Sequence, residues 1–371
     1  MKAVTIRPDD QSVATRDLER PAVESPTDVL VRMLEVGICG TDGSICQGEH
    51  GRPPDGADFL VPGHEGLGEV VEVGTDVEDL APGDLAVPTV RRPCPHEHCT
   101  ACRSGNVDFC MTGDYTERGI DGRHGFLAEY VVDDAKYLCP VPSELRDVAV
   151  LTEPLSIAEK ALRQYVAIQR RLPWLRNADT AEMLGQSRAV VLGGGPIGLL
   201  GCMLLRLYDV PTVVYSRDEP PAPEVDLTRA VGAEYISSEQ EEFDAVVKRL
   251  GGVDLVYEAT GAAELMFEVM PKLSANAVFI ATGVPGRGGS ASIEADTVMN
   301  ELVLQNQVLC GTVNASRGDF LAAIEHLGRM HQRWSGALRS IITHRHGPDD
   351  FCESAGSSDG LKHVINPGDT G

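Results

Sequence analysis

Apolar positions in the first part of the chain come in short runs broken by turn residues. Val29-Leu30-Val31-Arg32-Met33 and Glu69-Val70-Val71-Glu72-Val73 have the alternation and β-branched content of strands, and Pro82-Gly83-Asp84 is a turn signal. This pattern predicts an antiparallel β domain of barrel type. From Pro154 to about Arg170 the spacing changes, and Leu155, Ala158, Ala161, Leu162 and Tyr165 recur on one helical face. Residues 172–186 form a polar connection without a defined pattern. From Arg188 onward, continuous apolar runs alternate with helical segments. Residues 189–192, 212–215, 253–257 and 277–280 read as strands and 199–207 as a helix. Apolar runs separated by helices predict a parallel sheet covered on both faces. The pattern ends near Asn314, and the tail is expected to return to the first domain. The expected organisation is therefore α/β in three stretches, 1–158, 159–313 and 314–371.

A length of 371 residues suits two domains, which agrees with the change of pattern. Charge adds something new. Fifty-six acidic against 32 basic residues give a net charge of −24, and only six of the cations are lysines. Such self-repulsion keeps a protein soluble and needs salt to screen it, so a high-salt cytoplasm is the expected setting. Nucleic acid and anionic membranes are excluded as partners by the same balance. No apolar run approaches the roughly 20 residues of a membrane span. The N-terminus lacks signal-peptide anatomy, so the ten cysteines are expected to be reduced, and clustered ones are metal candidates before they are disulfides.

The strand at 189–192 runs into Gly193-Gly194-Gly195-Pro196-Ile197-Gly198 and then into a helix. A Gly-x-Gly-x-x-Gly pattern is weak alone. Between a strand and a helix it marks a dinucleotide loop, because the glycines permit the turn, the approach of the pyrophosphate and the packing of helix on strand. The phosphates would meet the helix N-terminus. After the second strand stand Ser216 and Arg217, a hydroxyl and a guanidinium suited to a 2′-phosphate, which favours NADP. Asp218, one position later, keeps NAD use open.

Cys39, His64, Glu65 and Glu153 are zinc-ligand types, and three ligands plus water make the open site of a catalytic zinc. A second set, Cys94, Cys99, Cys102 and Cys110, has four thiols within one loop and predicts a closed structural zinc site. His96 competes with Cys94 there, because it has the two-residue spacing to Cys99. Cys46, Cys139, Cys202, Cys310 and Cys352 are scattered and read as core or surface residues.

The stretch Gly63-His64-Glu65-x-x-Gly68-x5-Gly74-x2-Val77 matches the zinc signature of medium-chain dehydrogenases. The chain resembles that zinc-dependent alcohol and polyol dehydrogenase family over nearly its full length. Within it, the resemblance is closer to archaeal glucose dehydrogenases. Val90-Arg91-Arg92-Pro93, Tyr115 to Ile120, Leu151 to Ile157 with Glu159 to Leu162, and Gly311-Thr312-Val313-Asn314 carry that closer match. The resemblance implies a GroES-like β-barrel catalytic domain with a structural zinc lobe, and a Rossmann domain. It implies oxidation of glucose or another aldose at C1 to the 1,5-lactone, with hydride passing to NADP+. Glu153 stands where alcohol dehydrogenases carry a cysteine ligand, and Glu65 either ligates the metal or acts from behind it. Thr41, Thr89, Glu117, Glu153 and Asn314 are implied as sugar contacts, and Thr41 also as a proton relay. Thr282, Gly283, Val284, Thr312, Val313 and Asn314 are implied as further cofactor contacts. The departures are the four-residue first gap in the cysteine set and the lack of a histidine near Met299-Asn300. A homodimer or homotetramer is implied as well. The rival readings are a polyol, alcohol or threonine dehydrogenase and a non-catalytic dinucleotide-binding relative.

Overall fold

Strand Asp28–Gly37 organises the first of two units. It pairs antiparallel with Glu65–Val73 on one side, with Lys362–Ile365 near its end, and with Tyr130–Asp134 along its first half. The sheet runs Leu138–Val141, Leu85–Pro88, Glu65–Val73, Asp28–Gly37, Lys362–Ile365, Ile342–His346, with Tyr130–Asp134 added to the central strand. Only its last pair is parallel. Alternate residues of the central strand, Val29, Val31 and Met33, enter a core with Val70, Phe126, Leu127 and Leu138, which is the half-buried pattern the sequence shows. The computed structural model describes residues 1–7, 9–285, 290 and 292–368. The chain divides into a unit of Met1–Ser156, Asn314–His331 and Leu338–Gly371, and a unit of Ile157–Val313 with Gln332–Ala337.

The second unit is a six-stranded parallel sheet in the order Glu234–Ser237, Thr212–Ser216, Ala189–Leu192, Leu255–Glu258, Val278–Ala281, Val308–Gly311. All four residues of Ala189–Leu192 are buried, so the continuous apolar run has a direct cause. The chain moves outward from this strand twice, then returns to its other side at Leu255–Glu258. That reversal opens a crevice at the carboxyl ends of the two strands, the place where open α/β sheets bind ligands.

Two element boundaries differ from the sequence reading. The helix expected over 199–207 starts at Pro196, because proline at the first helical position needs no donor and has the right φ. The polar stretch at 172–186 contains a short helix, Thr180–Leu184, whose first turn is capped by Asp179 accepting from the Glu182 amide. Among the described residues, no helix is long and apolar enough to cross a membrane.

Candidate active site and cofactor loop

Register brings the first group of candidate ligands together. Gly37 lies opposite Glu65 across the strand pair, so Cys39 and His64, each just beyond that pair, meet at one end of the sheet. Gly37 has to lack a side chain, since a Cβ there would overlap the Glu65 carboxylate. Cys39 also caps helix Gly40–Cys46, its sulfur accepting from the Thr41 amide at 3.3 Å while its own amide donates to Asp42 Oδ2 at 2.9 Å. Cys39 Sγ stands 3.1 Å from His64 Nε2. Ligand atoms of Cys39, His64 and Glu65 all lie within 4.8 Å of one another.

Charge around this group is arranged by buried neighbours. Asp42 Oδ1 is 3.6 Å from His64 Nδ1, so the carboxylate faces the ring nitrogen turned away from Cys39. Burial alone would hold His64 neutral, yet the Cys39 sulfur and the Asp42 carboxylate outweigh it and push the imidazole well above its usual range. Lys362, buried on strand Lys362–Ile365, pairs with Glu65 and donates to the Ile38 carbonyl at 2.8 Å. Glu153 faces the group from the first turn of helix Thr152–Gln169 but lies outside the 4.8 Å set. Burial, then the charge of Glu65, pushes its carboxyl up to about 7. A thiol, an imidazole and carboxylates converging in a buried pocket fit a zinc ion by donor chemistry and spacing. Asp42 and Lys362 escaped the sequence reading. The first was legible as the third helical residue of a capping box. No local signal marks the second.

Another group of polar residues in the same unit forms a platform. Asn314, at φ 58°, donates from Nδ2 to Glu117 Oε1 at 2.8 Å. Arg91 donates to the same oxygen at 3.1 Å and lies over the Tyr115 ring at 3.7 Å. The two expected sugar contacts are thus joined through one carboxylate held by a buried guanidinium. Thr89 is buried, and its hydroxyl accepts from Arg92 at 3.2 Å.

Cys94, Cys99, Cys102 and Cys110 form the second ligand group, again within 4.8 Å. His96 is not part of it. Its Nε2 pairs with the Asp114 carboxylate at 2.8 Å, half-exposed. One expectation about the remaining cysteines is corrected. Cys46 and Cys352 are joined by a disulfide. They lie 306 residues apart, and what brings them together is packing of helix Gly40–Cys46 on helix Phe351–Gly356, where a Cβ on Gly43 would come 2.9 Å from the Ala355 carbonyl. Cys139 and Cys202 are buried and Cys310 is half-buried.

In the second unit, Gly193 takes φ 107° at the end of its strand, and Gly198 packs on the Gly193 carbonyl where any side chain would collide. Gly195 caps helix Pro196–Leu207 without a side-chain acceptor, so the first-turn amides are open to a phosphate. Gly194 lies against Ser216, whose hydroxyl donates to Asp218 at 3.2 Å, and Arg217 is exposed next to it. Buried Glu258 accepts from the amides of Gly261 at 2.7 Å and Gly283 at 3.2 Å, tying together the loops that follow two adjacent strands. Thr282 donates to the Glu258 carbonyl at 2.6 Å. Val284 and Val313 are exposed, while the Thr312 amide bonds the Ala281 carbonyl.

Residues 25–143 match the family model described as Alcohol dehydrogenase GroES-like domain, and residues 146–366 match Glucose dehydrogenase C-terminus. The chain is 38% identical to a glucose 1-dehydrogenase of Methanocella arvoryzae over 93% of both chains. It belongs to the glucose dehydrogenase family of zinc-dependent medium-chain dehydrogenases. A Haloarcula marismortui member is 37% identical over 88% of each chain. The solved structure of Haloferax mediterranei glucose dehydrogenase in complex with NADP, Zn and gluconolactone is 32% identical. It covers 99% of both chains with a TM-score of 0.86.

Proposed function

We propose that the chain oxidises D-glucose, and to a lesser degree other aldoses, at C1 to the 1,5-lactone while NADP+ takes the hydride. The observation that carries this reading is Cys39, His64 and Glu65 within 4.8 Å of one another, in a family whose Haloferax member holds NADP, Zn and gluconolactone. Cys39, His64 and Glu65, with Glu153 facing them, would hold zinc, which when bound would acidify a substrate hydroxyl and stabilise the charge that develops on it. The rest is done by side chains. Glu65, one of the clustered donors, has its charge matched by Lys362. Asp42, its carboxylate 3.6 Å from His64 Nδ1, is the charge that favours the ring orientation with Nε2 toward Cys39. Glu117 and Asn314 offer a paired acceptor and donor to sugar hydroxyls, which reject a substrate that leaves them unpaired. Thr41, whose amide donates to Cys39 Sγ, is the residue we assign to hydrogen-bond the C1 hydroxyl and pass its proton on. C1 loses a hydride and its hydroxyl a proton, and the lactone, NADPH and H+ are the balanced products. Cys94, Cys99, Cys102 and Cys110 would hold a second, structural zinc.

Initial rates at high KCl with glucose, galactose, xylose, sorbitol and threonine, each with NADP+ and NAD+, test the reading. Glucose-dependent NADPH formation that a chelator abolishes is the expected result. Turnover of sorbitol or threonine without turnover of aldoses would remove Glu117 and Asn314 from the substrate site.

For the cofactor, Ser216, Arg217 and the glycine loop read the 2′-phosphate and pyrophosphate of NADP. Arg217→Ala is expected to lower kcat/KM for NADP+ by about 10- to 100-fold, the value of charge-assisted hydrogen bonds of about 1.5–3 kcal/mol. NAD+ turnover should change by less than about twofold. An equal fall with both cofactors would show that Arg217 does not read the phosphate.

The outer strand Val308–Gly311 and helix Ala295–Leu304 leave Leu309, Met299, Val303 and Leu304 exposed, an apolar edge suited to a second copy of the chain. We read the enzyme as a homodimer formed through this edge and working in a salty cytoplasm. Leu309→Lys should then halve the mass measured by light scattering, and an unchanged dimer would move the interface elsewhere.

A further inference from the structure

Three of the ten histidines gather on one face at the edge of the first unit's sheet, and none of them belongs to either of the ligand groups already described. Strands Ile342–His346 and Lys362–Ile365 run parallel with His344 opposite His363, and His346 projects from the same side two residues on. The rings stack. Their centroids are 4.6 Å apart for His344 and His363, 5.1 Å for His346 and His363, and 5.8 Å for His344 and His346.

Hydrogen bonding fixes the chemistry of the central ring. His363 Nε2 is 2.5 Å from the Asp359 carbonyl, which can only accept, so this nitrogen carries the proton. A neutral ring then presents a lone pair at Nδ1, which accepts from His346 Nε2 at 3.0 Å; when a metal ion takes both nitrogens, the His346 proton moves to that ring's Nδ1. Two imidazole nitrogens at that separation match neighbouring positions around one ion with metal–nitrogen bonds of about 2.0–2.1 Å. A ligand histidine usually donates its other N–H to a backbone carbonyl or carboxylate, and His363 already does so. The third ring, His344, has Nε2 3.6 Å from the Asp359 carboxylate and is anchored at Nδ1 by Thr343 at 3.1 Å.

We propose that His346 Nε2 and His363 Nδ1 form a clip for one divalent transition-metal ion of imidazole-preferring type, such as Cu2+, Ni2+ or Zn2+. Water fills the remaining positions, and His344 is a third nitrogen within a side-chain rotation. The ion would clamp the edge strand to the strand whose neighbouring residue, Lys362, reaches Glu65. The His363 carbonyl also receives the Ile38 amide at 3.0 Å, immediately before Cys39. This site is a third one, independent of the catalytic and structural zinc groups.

One equivalent of Cu2+ added to the zinc-loaded enzyme tests it. The expected paramagnetic resonance spectrum shows coupling to two or more imidazole nitrogens, with zinc content and glucose oxidation unchanged. In His346→Gln the nitrogen coupling should collapse and Cu2+ affinity fall by at least about tenfold. Its retained glucose oxidation serves as the control for folding. His344→Ala should weaken binding less. An oxygen-only or thiolate-type spectrum in the unaltered enzyme, or a nitrogen spectrum that persists in His346→Gln, overturns the proposal. The acidic surface makes that comparison necessary, since carboxylates bind Cu2+ loosely everywhere.

Discussion

Cys39→Ser is expected to lower kcat/KM for glucose by about 10³-fold or more and to remove one of two bound zinc ions, while the cysteine-lobe zinc stays. A hydroxyl replaces the soft thiolate that separates zinc from harder ions, and its proton is not given up at neutral pH. The charge stabilisation lost is several kcal/mol, and about 4 kcal/mol corresponds to three powers of ten in rate. The geometry sharpens the expectation, because Cys39 Sγ is also the helix cap that accepts from Thr41 and sits 3.1 Å from His64 Nε2. Asp42→Asn should cost less, about 10- to 100-fold, since it disturbs a ligand's orientation without removing a ligand. Zinc uptake by the unaltered site should strengthen with rising pH. His64 is pushed toward its charged form by Cys39 and Asp42 despite burial, so metal binding has to displace that proton. Metal analysis paired with kinetics checks both variants. A Cys39→Ser protein that keeps two zinc ions and near-normal kcat would take Cys39 out of the ligand set.

How far the sequence carried depends on how local each signal is. The parallel sheet was legible because its strands are buried on both faces, so apolar runs appear unbroken. The dinucleotide loop and the four-cysteine lobe were legible because each packs its chemistry into a few residues. Cys39, His64 and Glu65 were nameable by type and motif, and the Gly37–Glu65 register explains why they meet. Lys362 was not legible. It reaches the Ile38 carbonyl across 324 positions, and a lone lysine in a tail has no pattern to announce burial. The Cys46–Cys352 disulfide failed for the same reason, its helices meeting only in three dimensions. The competition between Cys94 and His96 could not be decided by spacing. What separates them is the carboxylate of Asp114, which takes the histidine away from the thiols.

Asp133→Asn is expected to destabilise the protein by about 3–5 kcal/mol, the usual cost of removing one partner from a buried ionic cluster. Asp133 is buried between two guanidiniums, Arg92 and Arg118, each within hydrogen-bonding reach of Oδ2. An amide would leave both cations without a counter-charge. The two arginines also organise the backbone, Arg92 holding the Thr89 carbonyl at 2.9 Å and Arg118 the carbonyls of His124 and Val132 at 3.1 and 2.8 Å. Both lie next in sequence to residues of the proposed sugar platform, Arg91 and Glu117. The variant should therefore also raise KM for glucose more than it lowers kcat. Linkage gives a second signature. Burial would raise the Asp133 carboxyl, but Arg118 and Arg92 outweigh it and hold it below the ordinary value of 3.8. Its contribution is then fully present above the unfolded carboxylate range and lost as pH falls through the lower folded value. Denaturant unfolding at constant high salt should show a constant gap between the two proteins at neutral pH that narrows only below about pH 4. A gap under about 1 kcal/mol at neutral pH, or one that closes between pH 5 and 8, would mean that the Asp133 charge does not hold the arginines in place.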